Sequence, residues 1–456
     1  MSEVARKARR LTKQMSLRTP YKVGKLQKTL HAKAKESPQL RFYALYDKIY
    51  RADILRFAYR IQKKNDGDPG VDEQTFEDIE SEGPEEWLSE LAEELKDKEY
   101  RPKAVRRVWI EKDSGGQRPL GIPTIRDRVV QTAAVLVLQP IFEADLHPQQ
   151  HGYRPDHSAQ EAVQEVHRLV TRGYTDVVDA DLSGYFDTIP HEELMKSVAR
   201  RVSDGAVLSL IKMWLEMPVE ETDDDGNTHL STKARDERKG TPQGASISPL
   251  LANIYMRRFM VAWEVLGVGD RLKARIVNYA DDFVICCKGT AEEAMSAMRT
   301  LMERLKLTVN EKKTCRRKLP EESITFLGYR IGRCYSPKTG GSYIGMSPEK
   351  KKVQGLCREI SEQTAKEQLL RATGEIVGKL NAKLRGWANY FSLGTVSKAY
   401  RAIEAHTRDR LRQWLTRKHK VRGRAPLRWP NEHLHGKLGL ISITERKRQR
   451  FRGRKA

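Results

Sequence analysis

The sequence predicts a mixed α/β core followed by an all-helical C-terminal region, and three observations carry that prediction. Apolar strand-like runs, TDVVDADL (175–182), RIV (275–277) and FVICC (283–287), alternate with helical patterns at 159–172, 246–265 and 291–306. Two of the strands end in carboxylates, Asp181 and the Asp281-Asp282 pair, although charge emerging from an apolar strand is unusual. From about residue 350 to Pro426 the pattern is helical and strongly basic.

The elements follow in chain order. Residues 39–62 show helical periodicity and lead into Asn65-Asp-Gly-Asp-Pro-Gly70, a dense cluster of turn formers. A second helix is expected around 84–96. VRRVWIEKDSGGQRPLGIP (105–123) sets β-rich flanks around Ser114-Gly-Gly116 and reads as a hairpin. From about Asp127 to Ala144 the chain is apolar on most faces, which predicts a deeply buried helix that Pro140 kinks or ends. Residues 220–238, with Asp223-Asp-Asp-Gly226, are polar and acidic and read as an exposed excursion. The last thirty residues are basic, and no internal repeat or low-complexity tract occurs.

At 456 residues the chain is long enough for two or three structural units. Its 39% hydrophobic and 32% charged residues fit a folded protein with a heavily charged surface. The net charge of +23 is unevenly placed: residues 1–51 hold 14 Lys/Arg against 3 Asp/Glu, and residues 351–456 hold 27 against 8. The middle is therefore mildly acidic. Basic ends around an acidic centre suit a polyanion gripped at both ends with carboxylate chemistry between, because phosphate backbones are bound largely by Lys and Arg. Solvated basic tails are the alternative for the extreme termini. None of the five cysteines forms a Cys-x-x-Cys pair, which argues against a disulfide framework or zinc ribbon. With no apolar signal segment and no apolar run of about 18 residues, neither export nor membrane spanning is expected, and a reducing cytoplasm is.

The strongest local pattern is Asn278-Tyr-Ala-Asp-Asp-Phe283, two adjacent acids at the tip of a tight strand-turn-strand. Adjacent carboxylates repel unless a cation neutralises them, and hard oxygens suit Mg²⁺. Two acids at a turn are also ordinary turn chemistry. Asp181, at the end of another buried strand, shifts the balance: carboxylates from two strand ends that meet could clamp two metal ions, the architecture of nucleotidyl transfer. Asp179 and Asp187 are assigned structural places.

VVDADLSGYFDTI, GTPQGASISPLLANIYM and NYADDFVI resemble, in order, the palm motifs of reverse transcriptases. The resemblance runs from about Asn65 to Gly332 and includes RPLGIPTIRDRVVQ, HGYRPDHSAQEAV, LTVNEKKT and FLGYRIG. It implies a right-hand polymerase with fingers and palm, two Mg²⁺ or Mn²⁺ ions on Asp181, Asp281 and Asp282, and the Leu182 carbonyl as a further ligand. It also implies that Lys112 and Arg118 close on the triphosphate, a point charge and a fork of donors suited to phosphate. Surface charge is the alternative for both. Phe186 matches the ring that blocks a ribose 2′-hydroxyl, which makes the substrate a dNTP; a core Phe is the alternative. Gln243 lies in the Gly-flanked turn 240–244, where small residues permit close approach to nucleotide and template. Lys313 resembles a lysine that assists protonation of pyrophosphate, with a solvated lysine as the alternative.

KLNAKLRGWANYFSLGTVSKAYRAIEAHTRDRLRQWLTRK (379–418) resembles the thumb, or maturase domain, of group II intron proteins. Arg385, Trp387, Arg408, Arg410, Arg412, Arg417, Lys418 and Lys420 are the RNA-facing candidates. Core packing is the alternative for Trp387, Tyr390 and Phe391. The implied layout is a basic N-terminal extension (1–50), fingers (51–175), palm (176–345), helical thumb (346–425) and basic tail (426–456). Nothing after Cys357 resembles a zinc-supported endonuclease, so priming from a nascent or nicked DNA strand is expected. The resemblance thus implies an RNA-directed DNA polymerase of the endonuclease-less bacterial type, acting during retrohoming in the cytoplasm or nucleoid. Its expected partners are group II intron RNA, an RNA template with a DNA primer or target DNA, and dNTPs. A domesticated reverse transcriptase in host defence or DNA repair is the alternative. A splicing factor with a dead palm is disfavoured by the intact acids, and an RNA-copying RNA polymerase by Phe186.

Overall fold

The structure is a computed structural model, which describes residues 17–111, 116–223, 226–242, 244–336, 338–421 and 425–445. Its strands are β1 (Val105–Glu111), β2 (Gln117–Ile122), β3 (Asp176–Ala180), β4 (Val219–Thr222), β5 (Thr228–Ser231), β6 (Ala274–Tyr279), β7 (Asp282–Cys287), β8 (Cys315–Lys318), β9 (Ser323–Phe326), β10 (Tyr329–Tyr335) and β11 (Ser342–Pro348). They form three sheets of order β2-β1-β4-β5, β6-β7-β3-β8 and β11-β10-β9. The mixed α/β class is as expected. The chain divides into two compact units. The first runs through Ser158 and takes in Ala180–Ile285 and Thr290–Cys315; the second takes Ala159–Asp179, Cys286–Gly289 and the chain from Arg316 onward.

In the first unit, β1 and β2 make the expected antiparallel hairpin, with Ile110 opposite Arg118. The acidic excursion is more ordered than its composition suggests. Val219 pairs in parallel with Val105, and β4 returns antiparallel through β5, so the segment extends the hairpin into a four-stranded sheet. Its side chains are only partly buried, so the apolar alternation that marks a strand is absent from the sequence.

The helix Ile125–Glu143 is buried along most of its length, as its all-round apolar pattern requires. Thr124 caps it, its Oγ1 accepting from the Asp127 backbone N–H at 3.0 Å. Pro140 does not end the helix, which continues to Glu143. A proline leaves the carbonyl four residues earlier without its helical donor. Here that carbonyl, of Leu136, accepts from the Gln27 side chain at 3.1 Å, and the Pro140 carbonyl lies 3.0 Å from the His31 ring. The basic helix Tyr21–Glu36 thus compensates the break through two polar side chains.

The second unit carries the sheet β9–β11 and the long helices Lys350–Gln363, Thr373–Tyr390 and Ser397–Lys418. Leu380, Leu384, Ile403, Leu411 and Trp414 form its core. Leu434, Leu440 and Ile443 are buried in the same core, so the basic C-terminal segment is built in at least to Glu404's contacts. That carboxylate accepts from Ser442 Oγ at 2.8 Å and from the Thr444 backbone N–H at 2.8 Å and hydroxyl at 2.9 Å.

Candidate active site

Asp181 follows β3 directly, and the segment from Thr308 to Thr314 is laid along the chain at that point. Asp181 O accepts from the Asn310 backbone N–H at 2.8 Å, Ser183 N–H donates to Thr308 O at 2.9 Å, and Leu182 bridges Val309. The Asp181 carboxylate is held from the same side: Asn310 Nδ2 donates to Oδ2 at 2.9 Å, and the Lys313 ammonium stands 3.2 Å from that oxygen. The half-buried carboxylate therefore already carries one cation and one neutral donor, which fix its orientation.

Asp281 and Asp282 lie between β6 and β7, in a turn set up by unusual backbone. Ala280 has φ 59°, in the left-handed region that costs an L-residue about 1–2 kcal/mol. The fully buried Asn278 offsets that strain, its Nδ2 donating to Ala280 O at 2.8 Å. Asn278's own backbone donates to Gln149 O at 2.9 Å and accepts from His151 N–H at 2.8 Å, which clamps the turn to the HGYRP segment. Gly152 permits that approach, since a Cβ there would fall 2.4 Å from Ala280 N. Asp281 is half-buried and Asp282 exposed. Burial pushes the Tyr185 phenol well above its ordinary range, with the charges of Tyr255 and Asp281 adding to it. Burial and then Asp282 raise Tyr279 likewise. In the sheet β6-β7-β3-β8, the strand β3 that Asp181 follows is the neighbour of β7, which Asp282 opens.

Phe186 is buried, and its carbonyl accepts from Thr241 N–H at 2.6 Å, so the 240–244 turn is tied to it. The same turn approaches β2 so closely that a Cβ on Gly244, φ 104°, would lie 2.1 Å from Gly121 O. Below it, Gln131 Oε1 accepts from Ser246 N–H at 2.9 Å, and Gln62 bridges Thr132 Oγ1 at 2.6 Å and Ser246 Oγ at 3.2 Å. Lys112 and Gln243 lie outside the described residues, and of Arg118 only the backbone is described. Asp179 is half-buried in β3, and Asp187 is exposed in the short helix Tyr185–Thr188. Asn278, Asn310 and Thr241 also shape the site; all three stand inside the motifs quoted above, where no local pattern singles them out from their neighbours.

In the second unit the basic candidates divide. Arg385 and Arg417 are exposed. Arg412 donates to Trp429 O at 2.9 Å and Asn431 Oδ1 at 2.8 Å, and Lys418 donates to Leu369 O at 2.8 Å and Arg371 O at 2.7 Å. Arg410 bonds Thr364 Oγ1 at 3.2 Å and Ser361 O at 3.0 Å, while Arg408 sits 3.9 Å from Glu404. The Trp387 ring stacks 4.5 Å from Phe391 and packs against the core.

Residues 110–331 match the reverse transcriptase (RNA-dependent DNA polymerase) family, which makes this mixed α/β protein an RNA-directed DNA polymerase. Residues 353–430 match the group II intron, maturase-specific domain. The chain is 33% identical over 396 residues to Protein YkfC of Escherichia coli (strain K12), covering 78% of this chain and 99% of that protein. It is 27% identical over 440 residues to the group II intron-encoded protein LtrA of Lactococcus lactis subsp. cremoris, covering 78% of this chain and 71% of that one. A telomerase structure from Candida albicans, in complex with a telomeric RNA fragment, matches with TM-score 0.40 and 14% identity over 75% of this chain and 66% of that chain. The protein belongs to the group II intron-encoded reverse transcriptase/maturase family. Its chemistry accordingly depends on divalent cations, and its maturase domain engages RNA. Among the described residues no helix is long and apolar enough to cross a membrane.

Proposed function

We propose that Asp181, Asp281 and Asp282, with the Leu182 carbonyl, hold two Mg²⁺ ions, and that the chain extends a DNA primer with dNTPs on an RNA template during retrohoming. The observation that carries this reading is the placement of Asp181: a carboxylate fixed by Asn310 and already paired with the Lys313 cation, at the end of the strand that neighbours β7, which Asp282 opens. The donor set fits, since it is all oxygen, carries three negative charges, and none of the three carboxylates is fully buried. When bound, the two ions would activate the primer hydroxyl and stabilise the leaving pyrophosphate.

The other residues divide the substrate between them. Lys112 and Arg118 bind the triphosphate, and Gln243 meets the nucleotide and template in the turn that Gly240 and Gly244 keep narrow. Phe186 excludes a 2′-hydroxyl, its main chain being anchored by Thr241. Lys313 orients Asp181 and serves the departing pyrophosphate as a proton donor. Asn310 acts through Asp181 and is a positioning residue. In the helical unit, exposed Arg385 and Arg417 take the phosphates of the intron RNA, and Trp387, Arg408, Arg412 and Lys418 support that surface from within. The layout of extension, fingers, palm, thumb and tail given by the motifs is the working division of labour.

Replacing Mg²⁺ by Fe²⁺ in the presence of ascorbate and peroxide cuts the main chain beside bound metal. The expected cuts fall near residues 181 and 281, are suppressed by excess Mg²⁺ and disappear in Asp281→Asn. Cuts confined to other segments would overturn the assignment.

A further inference from the structure

Phe186 is held unequally on its different sides. Its main chain is fixed, because the carbonyl accepts from both the backbone N–H of Thr241 at 2.6 Å and its hydroxyl at 3.3 Å. On one side of its ring stands Tyr185, with centroids 5.7 Å apart, itself immobilised by full burial and a 2.7 Å bond from its hydroxyl to Ala252 O. Tyr153 also meets the ring, edge-on at 6.4 Å and 78°, and it differs in kind: Tyr153 is 39% exposed. Removing Tyr185 would collapse the core, whereas removing Tyr153 would open space toward solvent into which the Phe186 ring can tilt.

The backbone at Tyr153 shows that this placement is specified. Its φ of 55° lies in the left-handed region that an aromatic residue rarely adopts. The preceding Gly152 is pressed against Ala280, in the turn that carries Asp281 and Asp282. Strain at an exposed aromatic, maintained by packing against the carboxylate turn, is the kind that persists at functional positions.

We propose that Tyr153 is a positioning residue for sugar selection: its ring props Phe186 at the angle that rejects a ribonucleotide, and it ties that angle to the Asn278–Asp282 turn. The proposal rests on the reading of Phe186 as the ring that excludes the 2′-hydroxyl. Tyr153 need not touch the nucleotide. Its edge-to-face contact is worth what such aromatic pairs contribute, so its loss is expected to lower discrimination between deoxy and ribo substrates about two- to tenfold.

The test is single-nucleotide primer extension by the full chain, comparing kcat/KM for dTTP and UTP on a poly(rA) template in wild type, Tyr153→Ala, Tyr153→Phe and Phe186→Val. The expected result is a dTTP/UTP ratio lowered two- to tenfold in Tyr153→Ala, mainly through a lower KM for UTP, and close to wild type in Tyr153→Phe, which keeps the ring edge. Phe186→Val should lower the ratio further. If Phe186→Val lowers the ratio and Tyr153→Ala leaves it unchanged, the positioning role is wrong and the Phe186 reading stands. An unchanged ratio in Phe186→Val removes both. Tyr153→Leu, which keeps apolar bulk without a ring, repeats the test should Tyr153→Ala be too unstable to assay, with a lowered ratio again the supporting result.

Discussion

The carboxylate turn of the first unit and the basic helices of the second use charge in opposite ways. Around Asp181 and Asp281, charge stands where an apolar strand ends, and neutral polar groups, Asn310 and Asn278, spend their hydrogen bonds holding it in place. Along Ser397–Lys418 the positive side chains themselves are spent: Arg412 and Lys418 each close on two groups of their own unit, and Arg410 on the Lys350–Gln363 helix and its end. In one region the charge is what the scaffold presents; in the other much of the charge is scaffold. Long side chains bury their stems and return their heads to nearby carbonyls, so a count of basic residues overstates the surface offered to RNA.

That contrast can be broken by substitution, and the largest remaining effect after the metal ligands is expected at Asn310. Asn310→Ala removes the neutral donor on Asp181, and primer extension should fall about 10- to 100-fold, with a higher Mg²⁺ requirement and an unchanged melting temperature. Equal activity at all Mg²⁺ concentrations would reduce Asn310 to loop structure. A smaller effect of a different kind is expected at Arg412. Arg412→Ala strands Trp429 O and Asn431 and should cost about 1–3 kcal/mol of stability in denaturant melts, with RNA affinity per folded molecule little changed. The smallest effect is expected at the exposed cations: Arg417→Ala and Arg385→Ala should each lower the slope of log affinity for RNA against log salt by about 1, without loss of stability. A result in which Arg412→Ala changes the salt slope and Arg417→Ala does not would reverse the assignment of surface and scaffold.

Legibility in the sequence followed the same division. The acids stand out in the sequence because Asp181, Asp281 and Asp282 sit where apolar strands end or begin, and helices such as Pro84–Lys96 and Ala291–Arg304 fall close to where periodicity places them. What escaped depended on partners distant in sequence. Pro140 reads as a kink or an end, and the Gln27 side chain, 109 residues away in sequence, donates to the Leu136 carbonyl that the proline leaves without its helical partner. The strands β4 and β5 have no apolar face to announce them, and Leu434, Leu440 and Ile443 are too few and too widely spaced among basic residues to signal a place in the core. Asn310 stands 129 residues from the carboxylate it orients, and no local pattern links the two.

The most direct test of the central claim is primer extension on poly(rA) with oligo(dT), dTTP and Mg²⁺, comparing the wild-type chain with Asp281→Asn, which preserves shape and removes charge. The account predicts extension by the wild type and a loss of about a thousandfold in the variant, the scale of several kcal/mol of metal-borne charge stabilisation, with no change in melting temperature. Extension by Asp281→Asn at close to the wild-type rate would contradict it.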